Sequence, residues 1–393
     1  MTDAFDAGAI QRALLDFFDA CGRDLPWRRD PDPYRVWISE VMLQQTRAET
    51  VIPYFERWLE RFPTLEALAG ASIDDVLQAW AGLGYYRRAH NLHRAANVVR
   101  DRYRGQLPGD PAELRRLPGI GDYTAGAIAS IAFGLPEPAV DGNVRRVLSR
   151  LHDLPDPGGA ELRRLAAALV PDDRPGDFNQ ALMELGATVC TPRSPKCDAC
   201  PIATFCRARA AGTQLERPRP KPSKTLPEND VGTAVIVADD GAVLLVRRPA
   251  DGLLAGLWEF PGAIVEPGET PADAARRAAA AALERAGRDA TGAALRDDGT
   301  PIGSIVHTFT HLRLTYLAFR FAARRVAPVA GTRADGRATD TRSAGRREAD
   351  QVWIAPEDAL ALAIPAAQRR ILELVRDRPR ARSPLDEPRD PRR

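Results

Sequence analysis

The sequence predicts two folded domains of different class. An all-α domain spans residues 1–210 and closes on a cysteine loop, and an α+β domain spans residues 230–376. Three observations predict this. The 393 residues are more than one hydrophobic core usually serves. Through the first half, apolar residues recur at three- and four-residue spacing, the period of a helix with one buried face. Past residue 230 the texture changes to short β-branched runs broken by Gly and Asp.

The helical period is clearest in "AIQRALLDFF", "AETVIPYFERWLERF", "IDDVLQAWAGL", "RAHNLHRAANVVRDRY" and "ELRRLAAALV", with Pro63, Pro108, Pro118, Pro136 and Pro155 falling between the runs. Residues 211–229 hold four prolines among basic residues and no apolar period, so they read as an extended, semi-rigid linker. "VGTAVIVAD" and "GAVLLVRR" then read as a hairpin, followed by a helix from Pro271 to about Arg285 capped by Thr270. "IGSIVHTFTHLRLTYLAFRF" supplies two strands, "QVWI" another, and "AAQRRILELVR" a closing helix. Residues 324–350 are polar and poor in apolar residues, which predicts a disordered insertion, and the tail 377–393 reads the same way.

Charge excludes an easy answer. The net charge is +2, and over residues 1–210 there are 26 Lys and Arg against 28 Asp and Glu. Any nucleic-acid role must therefore rest on local motifs. The opening "MTDAFDAGAIQRALLDFF" carries acids among its apolar residues, unlike a targeting peptide, and no apolar run approaches the roughly 20 residues of a membrane span. A soluble, cytosolic chain is expected.

Cys190, Cys197, Cys200 and Cys206 are spaced C-x6-C-x2-C-x5-C, with Cys21 the only other cysteine. Two intervening residues let Cys197 and Cys200 face one centre, and Pro192, Pro195 and Pro201 bend the chain so the outer pair can join them. Four thiolates so placed suit a structural zinc or an iron–sulfur cluster. Disulfides would leave one of the five thiols over.

"LRRLPGIGDYTAGAIASIAFG" reads as a short helix ending at Leu117, a Gly-x-Gly turn, and a new helix from near Tyr123. Gly119 and Gly121 lack a β-carbon, so backbone can approach closely, and the amides at the new helix start can bind an anion. A helix–hairpin–helix grips a DNA phosphate in this way. Two carboxylates also stand out. Glu40 shares a helix stripe with Val36, Trp37 and Leu43, where burial would raise its pKa into the range of a general acid. At the stripe's edge it would simply reach water. Asp141 precedes the helical "NVRRVLSRLH" and suits an N-cap, a role compatible with chemistry. Trp27, Arg28, Tyr85, Tyr86, Arg87 and Arg88 could stack on bases or pair with phosphates, or pack in the core.

The order "LPWR", "ISEVMLQQT", "GLGYYRRAHNL", "LPGIGDYTAGAI", "VDGNVRRVLSRL", "FNQALMELGA" and the cysteine loop resembles the MutY-type adenine DNA glycosylases of the helix–hairpin–helix, endonuclease III-like superfamily. The resemblance covers nearly all of the first domain and, more loosely, the second. It implies a [4Fe–4S] cluster on the four cysteines and double-stranded DNA bearing A:8-oxoguanine or A:G mispairs as substrate, acted on by a monomer in the cytoplasm at the nucleoid. It implies that Glu40 protonates adenine N7 and then activates water, and that Asp141 stabilises positive charge on the deoxyribose, with Tyr123 and Asn143 beside them. Trp27, Arg28 and Glu184 would line the adenine pocket. Leu43, Gln45, Thr46, Tyr85, Gly119 and Gly121 would meet the DNA, with Gln45 and Tyr85 wedged into the stack. Relatives that also cut the strand carry a lysine where this chain has Tyr123, and a phenol forms no Schiff base. The chain is therefore expected to be monofunctional.

"FPGAIVEPGETPADAARRAAAAALERAG" resembles a Nudix box. Glu269 and Arg277 match it, but Ala278, Ala281 and Ala282 stand where the Mg²⁺-binding glutamates belong, and alanine offers no oxygen. A Nudix-like domain that reads 8-oxoguanine, without hydrolase activity, is implied. Phe309, Thr310 and His311 match the family's Phe-Ser-His reading loop, with threonine in place of serine.

Overall fold

The computed structural model describes residues 6–220, 225–286, 295, 299–323 and 350–376, which fall into two compact units divided near residue 223. The expected insertion (all but its last residue) and the expected tail lie outside the described residues.

The first unit is helical: α1 (Ala7–Cys21), α2 (Pro33–Leu43), α3 (Ala48–Arg61), α4 (Leu65–Gly70), α5 (Ile73–Trp80), α6 (Arg87–Arg102), α7 (Pro111–Arg115), α8 (Asp122–Phe133), α9 (Gly142–Leu151), α10 (Gly159–Ala167), α11 (Pro175–Thr188) and α12 (Arg207–Ala211). Local chemistry starts many of them. Asp6, Asp32, Thr64, Ser72, Asp110 and Asp141 each accept a backbone N–H from the first turn of α1, α2, α4, α5, α7 and α9. Pro33, Pro111 and Pro175 occupy the first helical position, where no N–H is needed. One core joins α1, α9, α10 and α11 through Ile10, Leu14, Val147, Leu148, Leu162, Phe178 and Leu182. Trp37, Phe55, Trp58 and Trp80 are fully buried, with Trp58 packed edge-on against both Phe62 and Trp80.

Residues 211–219, the start of the expected semi-rigid linker, are hydrogen-bonded onto this unit. Thr213 and Arg217 both bind Asp153, at 2.5 and 2.7 Å. Arg150 donates to the Arg217 carbonyl at 3.1 Å, and Arg219 N–H donates to the Pro155 carbonyl at 2.6 Å. A proline-rich segment has few internal hydrogen bonds, so its polar groups are satisfied by the surface it lies on.

The second unit is a mixed sheet with a helix on each face. Its strands are β1 (Glu228–Ala238), β2 (Val243–Arg247), β3 (Trp258–Glu259), β4 (Gly262–Ile264), β5 (Thr300–Thr308), β6 (Arg313–Ala323) and β7 (Gln351–Ile354), in the order β3-β2-β1-β6-β5 with β4 on β1 and β7 on β2. β1 runs parallel to β6 from Glu228↔Arg313 to Ala238↔Ala323, which starts the strand two residues before the expected domain boundary. The strands β3 and β4 are too short to show a period and escaped the sequence reading. α13 (Pro271–Ala286) begins at Thr270, whose hydroxyl accepts the Asp273 N–H, and sets Ala275, Ala279, Ala282 and Leu283 on Ile236, Leu244 and Phe321. α14 (Ala366–Arg376) covers the other face with Ile371 and Leu372 on Val235, Leu245 and Ile305.

Candidate active site

α2 is buried from Tyr34 to Met42 except for the half-buried Arg35, so Glu40 does not reach water along a stripe edge and is 5 % exposed. The Tyr123 hydroxyl, from the first turn of α8, donates to Glu40 Oε2. Burial is the main force on Glu40 and raises its pKa from 4.5 to about 7. The nearby Asp141 charge adds to the rise, while the Tyr123 hydrogen bond and the Arg28 charge oppose it. The Tyr123 phenol is itself pushed well above its ordinary value by burial and by the two carboxylates, so it stays a donor.

Asp141 uses its two oxygens separately. Oδ1 accepts the Val144 N–H at 2.7 Å and caps α9, and Oδ2 accepts from Asn143 Nδ2 at 2.9 Å. Burial raises its pKa, against those hydrogen bonds and the Arg146 charge. Arg146 extends the chain of contacts, donating to Asn143 Oδ1 at 2.9 Å, Gly186 O at 2.7 Å and Cys190 O at 2.8 Å. The structure thus gathers Glu40, Tyr123, Asp141 and Asn143 and ties them to the start of the cysteine loop. Arg146 carried no mark in the sequence, because its meaning comes from acceptors 3 and about 40 residues away.

Glu184 on α11 is fully covered. Arg23 donates to it through Nε at 2.7 Å and Nη2 at 3.1 Å, and Arg28 through Nη2 at 2.9 Å. Burial raises the Glu184 pKa, but these two guanidiniums outweigh it and leave the group lowered. It holds Arg28 in place, stacked 5.1 Å from the Phe18 ring, with Arg28 also acting on Glu40. Sequence reading missed Arg23, which lies 161 residues from its partner. Trp27 is 6 % exposed and packs edge-on against Phe55 at 5.6 Å, so its ring is part of the core next to Arg28 in the chain.

Three loops present the remaining residues. Leu43 and Thr46 are half-buried at the end of α2, and the exposed Gln45 between them has φ +58°. Tyr85 is 46 % exposed with φ +48°. Non-glycine residues are uncommon in this left-handed region. In the hairpin, Gly119 has φ +79°, and a β-carbon there would lie 2.7 Å from Asn91 Cβ, so glycine is needed for both reasons. Gly121 precedes α8, whose start has no side-chain cap, leaving its first amides for another acceptor.

The four cysteines 190, 197, 200 and 206 form no disulfide and line one cavity with Arg150, Lys196 and Arg209. Arg150 Nη1 lies 3.3 Å from Cys190 Sγ. Burial, then the three neighbouring cysteines, push the Cys200 thiol up to about 11, so thiolates gather here only around positive metal. The donor set fits an iron–sulfur cluster.

In the second unit, Phe309 N–H donates to Leu312 O at 2.8 Å and closes a tight turn between β5 and β6. Phe309 is half-buried, with Thr310 and His311 exposed beside it. The His307 ring, which the sequence reading passed over, sits edge-on to Phe309 at 4.5 Å. Arg277 binds Glu269 at 3.0 and 2.8 Å and the Ile264 carbonyl at 3.0 Å, while Ala278 and Ala282 are packed in the interior.

Comparison with known families accounts for these features together. Residues 38–172 match the HhH-GPD superfamily of base excision DNA repair proteins, 190–206 the iron–sulfur binding domain of endonuclease III, and 232–374 the NUDIX domain. The chain is 40 % identical over 385 residues to the adenine DNA glycosylase of Homo sapiens, covering 83 % of this chain and 69 % of that one. The chain belongs to the adenine DNA glycosylases. The Rattus norvegicus enzyme is 39 % identical over 84 % of this chain and 74 % of its own, and that of Arabidopsis thaliana 38 % over 77 % and 55 %. This glycosylase therefore acts on DNA and removes adenine in base excision repair, and its cysteine loop holds a [4Fe–4S] cluster. No helix among its described residues is long and apolar enough to cross a membrane.

Proposed function

We propose that this glycosylase removes adenine opposite 8-oxoguanine or guanine, with Glu40 and Asp141 as its two catalytic carboxylates. The observation that carries this reading is the buried Glu40, bonded to Tyr123 and close to Asp141, where burial pushes its pKa up to about 7. The adenine is flipped out of the duplex, because its reacting atoms are hidden in the stack. Protonated Glu40 delivers its proton to adenine N7, the glycosidic bond breaks, and Asp141 faces the positive charge left on the sugar. Glu40, now a carboxylate, accepts a proton from the attacking water. Two carboxylates around an oxocarbenium-like centre is the arrangement glycosidases use. Tyr123 orients Glu40, and Asn143 orients Asp141. The enzyme works as a monomer in the cytoplasm, at the nucleoid.

A gel assay on duplexes with adenine opposite 8-oxoguanine, guanine or thymine tests this. Adenine should leave the first two, and the strand should break only after hot alkali. A phenol at position 123 supports the monofunctional reading, so borohydride should trap little wild-type complex. Tyr123→Lys should yield a trapped complex and strand scission, because it puts an amine beside the sugar. Efficient trapping by the wild type would contradict a monofunctional enzyme.

The second unit supplies the preference for the oxidised base, through the turn that carries Phe309, Thr310 and His311. Phe309→Ala with Thr310→Ala should lower the ratio of excision opposite 8-oxoguanine to that opposite guanine by roughly ten- to a hundredfold, as each base-edge contact contributes about 1–3 kcal/mol. Excision opposite guanine should hold. An unchanged ratio would move the reader elsewhere.

A further inference from the structure

We propose that Arg88 is a positioning residue that holds the loops 43–46 and 83–85 so that Gln45 and Tyr85 meet the DNA stack, a role that rests on the assignment of those two residues as the wedge. Arg88 lies in the first turn of α6 and is 9 % exposed. Its Nη1 donates to the carbonyls of Val41, Met42 and Gln44, at 2.9, 2.8 and 2.6 Å. Carbonyls at a helix end lack partners within the helix, and these belong to the end of α2, which also carries Glu40. Its Nη2 donates to Thr46 Oγ1 at 3.1 Å and to the carbonyls of Leu83 and Gly84 at 3.2 Å each. One guanidinium therefore bridges two chain segments more than 35 residues apart in sequence.

None of those acceptors is a carboxylate. Burial alone pulls the Arg88 pKa down to about 10, so the cation is held by backbone dipoles and by the rings of Trp80 and Tyr85, 5.2 and 5.5 Å from its Cζ. Each loop it grips carries a non-glycine residue in the left-handed region, Gln45 at φ +58° and Tyr85 at φ +48°. Such conformations persist where surrounding contacts impose them. The Arg88 fork supplies those contacts on both sides, with Gln44 and Thr46 flanking Gln45, and Leu83 and Gly84 preceding Tyr85. A lysine keeps the charge but lacks the planar fork, so it cannot serve both loops at once.

Full-length Arg88→Lys, Gln45→Ala, Tyr85→Ala and the Arg88→Lys/Tyr85→Ala pair should be compared with wild type. The measurements are single-turnover adenine excision and the fluorescence of 2-aminopurine beside the target, which reports unstacking. Arg88→Lys should lower both on a paired duplex, excision by about ten- to a hundredfold, as expected for several hydrogen bonds to a charged group. Most of that deficit should vanish when the adenine is an unpaired bulge, because extrusion is then easier. The double variant should lose less than the product of the two single losses, since Arg88 acts partly through Tyr85 and such effects are not additive. An equal deficit on the bulge, or additive losses, would show that Arg88 only caps α2 beneath Glu40 and would overturn the proposal. Should Arg88→Lys fail to fold, Thr46→Val removes one acceptor and should still reduce the fluorescence change; no reduction would count against the role. If Gln45→Ala and Tyr85→Ala extrude the base like wild type, the wedge assignment fails; if they lose extrusion and Arg88→Lys does not, the role of Arg88 fails alone.

Discussion

Glu40→Gln will bind mispaired DNA and release essentially no adenine. The amide matches the carboxyl in shape, and its oxygen can still accept the Tyr123 hydroxyl, so the pocket should survive. It has no acidic proton for N7. Losing general-acid catalysis costs on the order of 10²–10⁴ in rate, and loss of the base that activates water adds to it. Wild-type excision should fall as pH rises through about 7, where Glu40 gives up its proton. The same titration appears in stability. Burial raises the folded pKa from 4.5 to about 7, so between these values the native state binds more protons than the unfolded chain, and stability is lost as pH rises. That gap corresponds to at most about 3 kcal/mol above pH 7. Glu40→Gln should therefore melt higher than wild type at pH 8 and alike at pH 4. Near wild-type turnover in the variant would refute the acid role, and a pH-independent melting difference would refute the buried, protonated carboxyl.

Asp141→Asn will be nearly as inactive while folding almost as well. The carboxylate faces charge that grows only in the transition state, and removing one such stabilising group costs roughly 10²–10³ in rate. The cap is a different matter, because asparagine caps a helix about as well as aspartate. The new side-chain oxygen can accept the Val144 N–H, while its amide meets the Asn143 amide, two donors where a donor and an acceptor had been. A loss of about 1 kcal/mol is expected from that mismatch. Single-turnover rates set beside melting temperatures separate the two roles. A variant that only melts lower would leave Asp141 as a cap.

Much of this protein was legible in its residues. Capping side chains, prolines and glycines act within about four residues, so the starts of α8 and α9, both ends of α13, the Asp141 cap and the Thr270 cap could be read to within a residue. The cysteine spacing was equally local, although spacing alone left zinc open beside iron–sulfur. The alanines on α13 were visible in the sequence as a missing metal site, and the fold shows two of them filling the interior.

Other properties depend on segments far apart in the chain, and only the tertiary structure decided them. The helical period left Glu40 at the edge of a stripe or within it; its burial, and so its acidity, follows from the packing of α2 and from a hydroxyl 83 residues away. Arg23 and Arg146 carried no mark and Arg88 read as a DNA or core contact, because nothing near them in sequence marks the carboxylate or carbonyls they bind. The two-residue β3 exists only because β2 pairs with it. Helix periods and caps are set by neighbours along the chain, whereas desolvation and hydrogen-bond partners are set by whatever the fold brings alongside, and the chemistry of this site depends on the second kind of information.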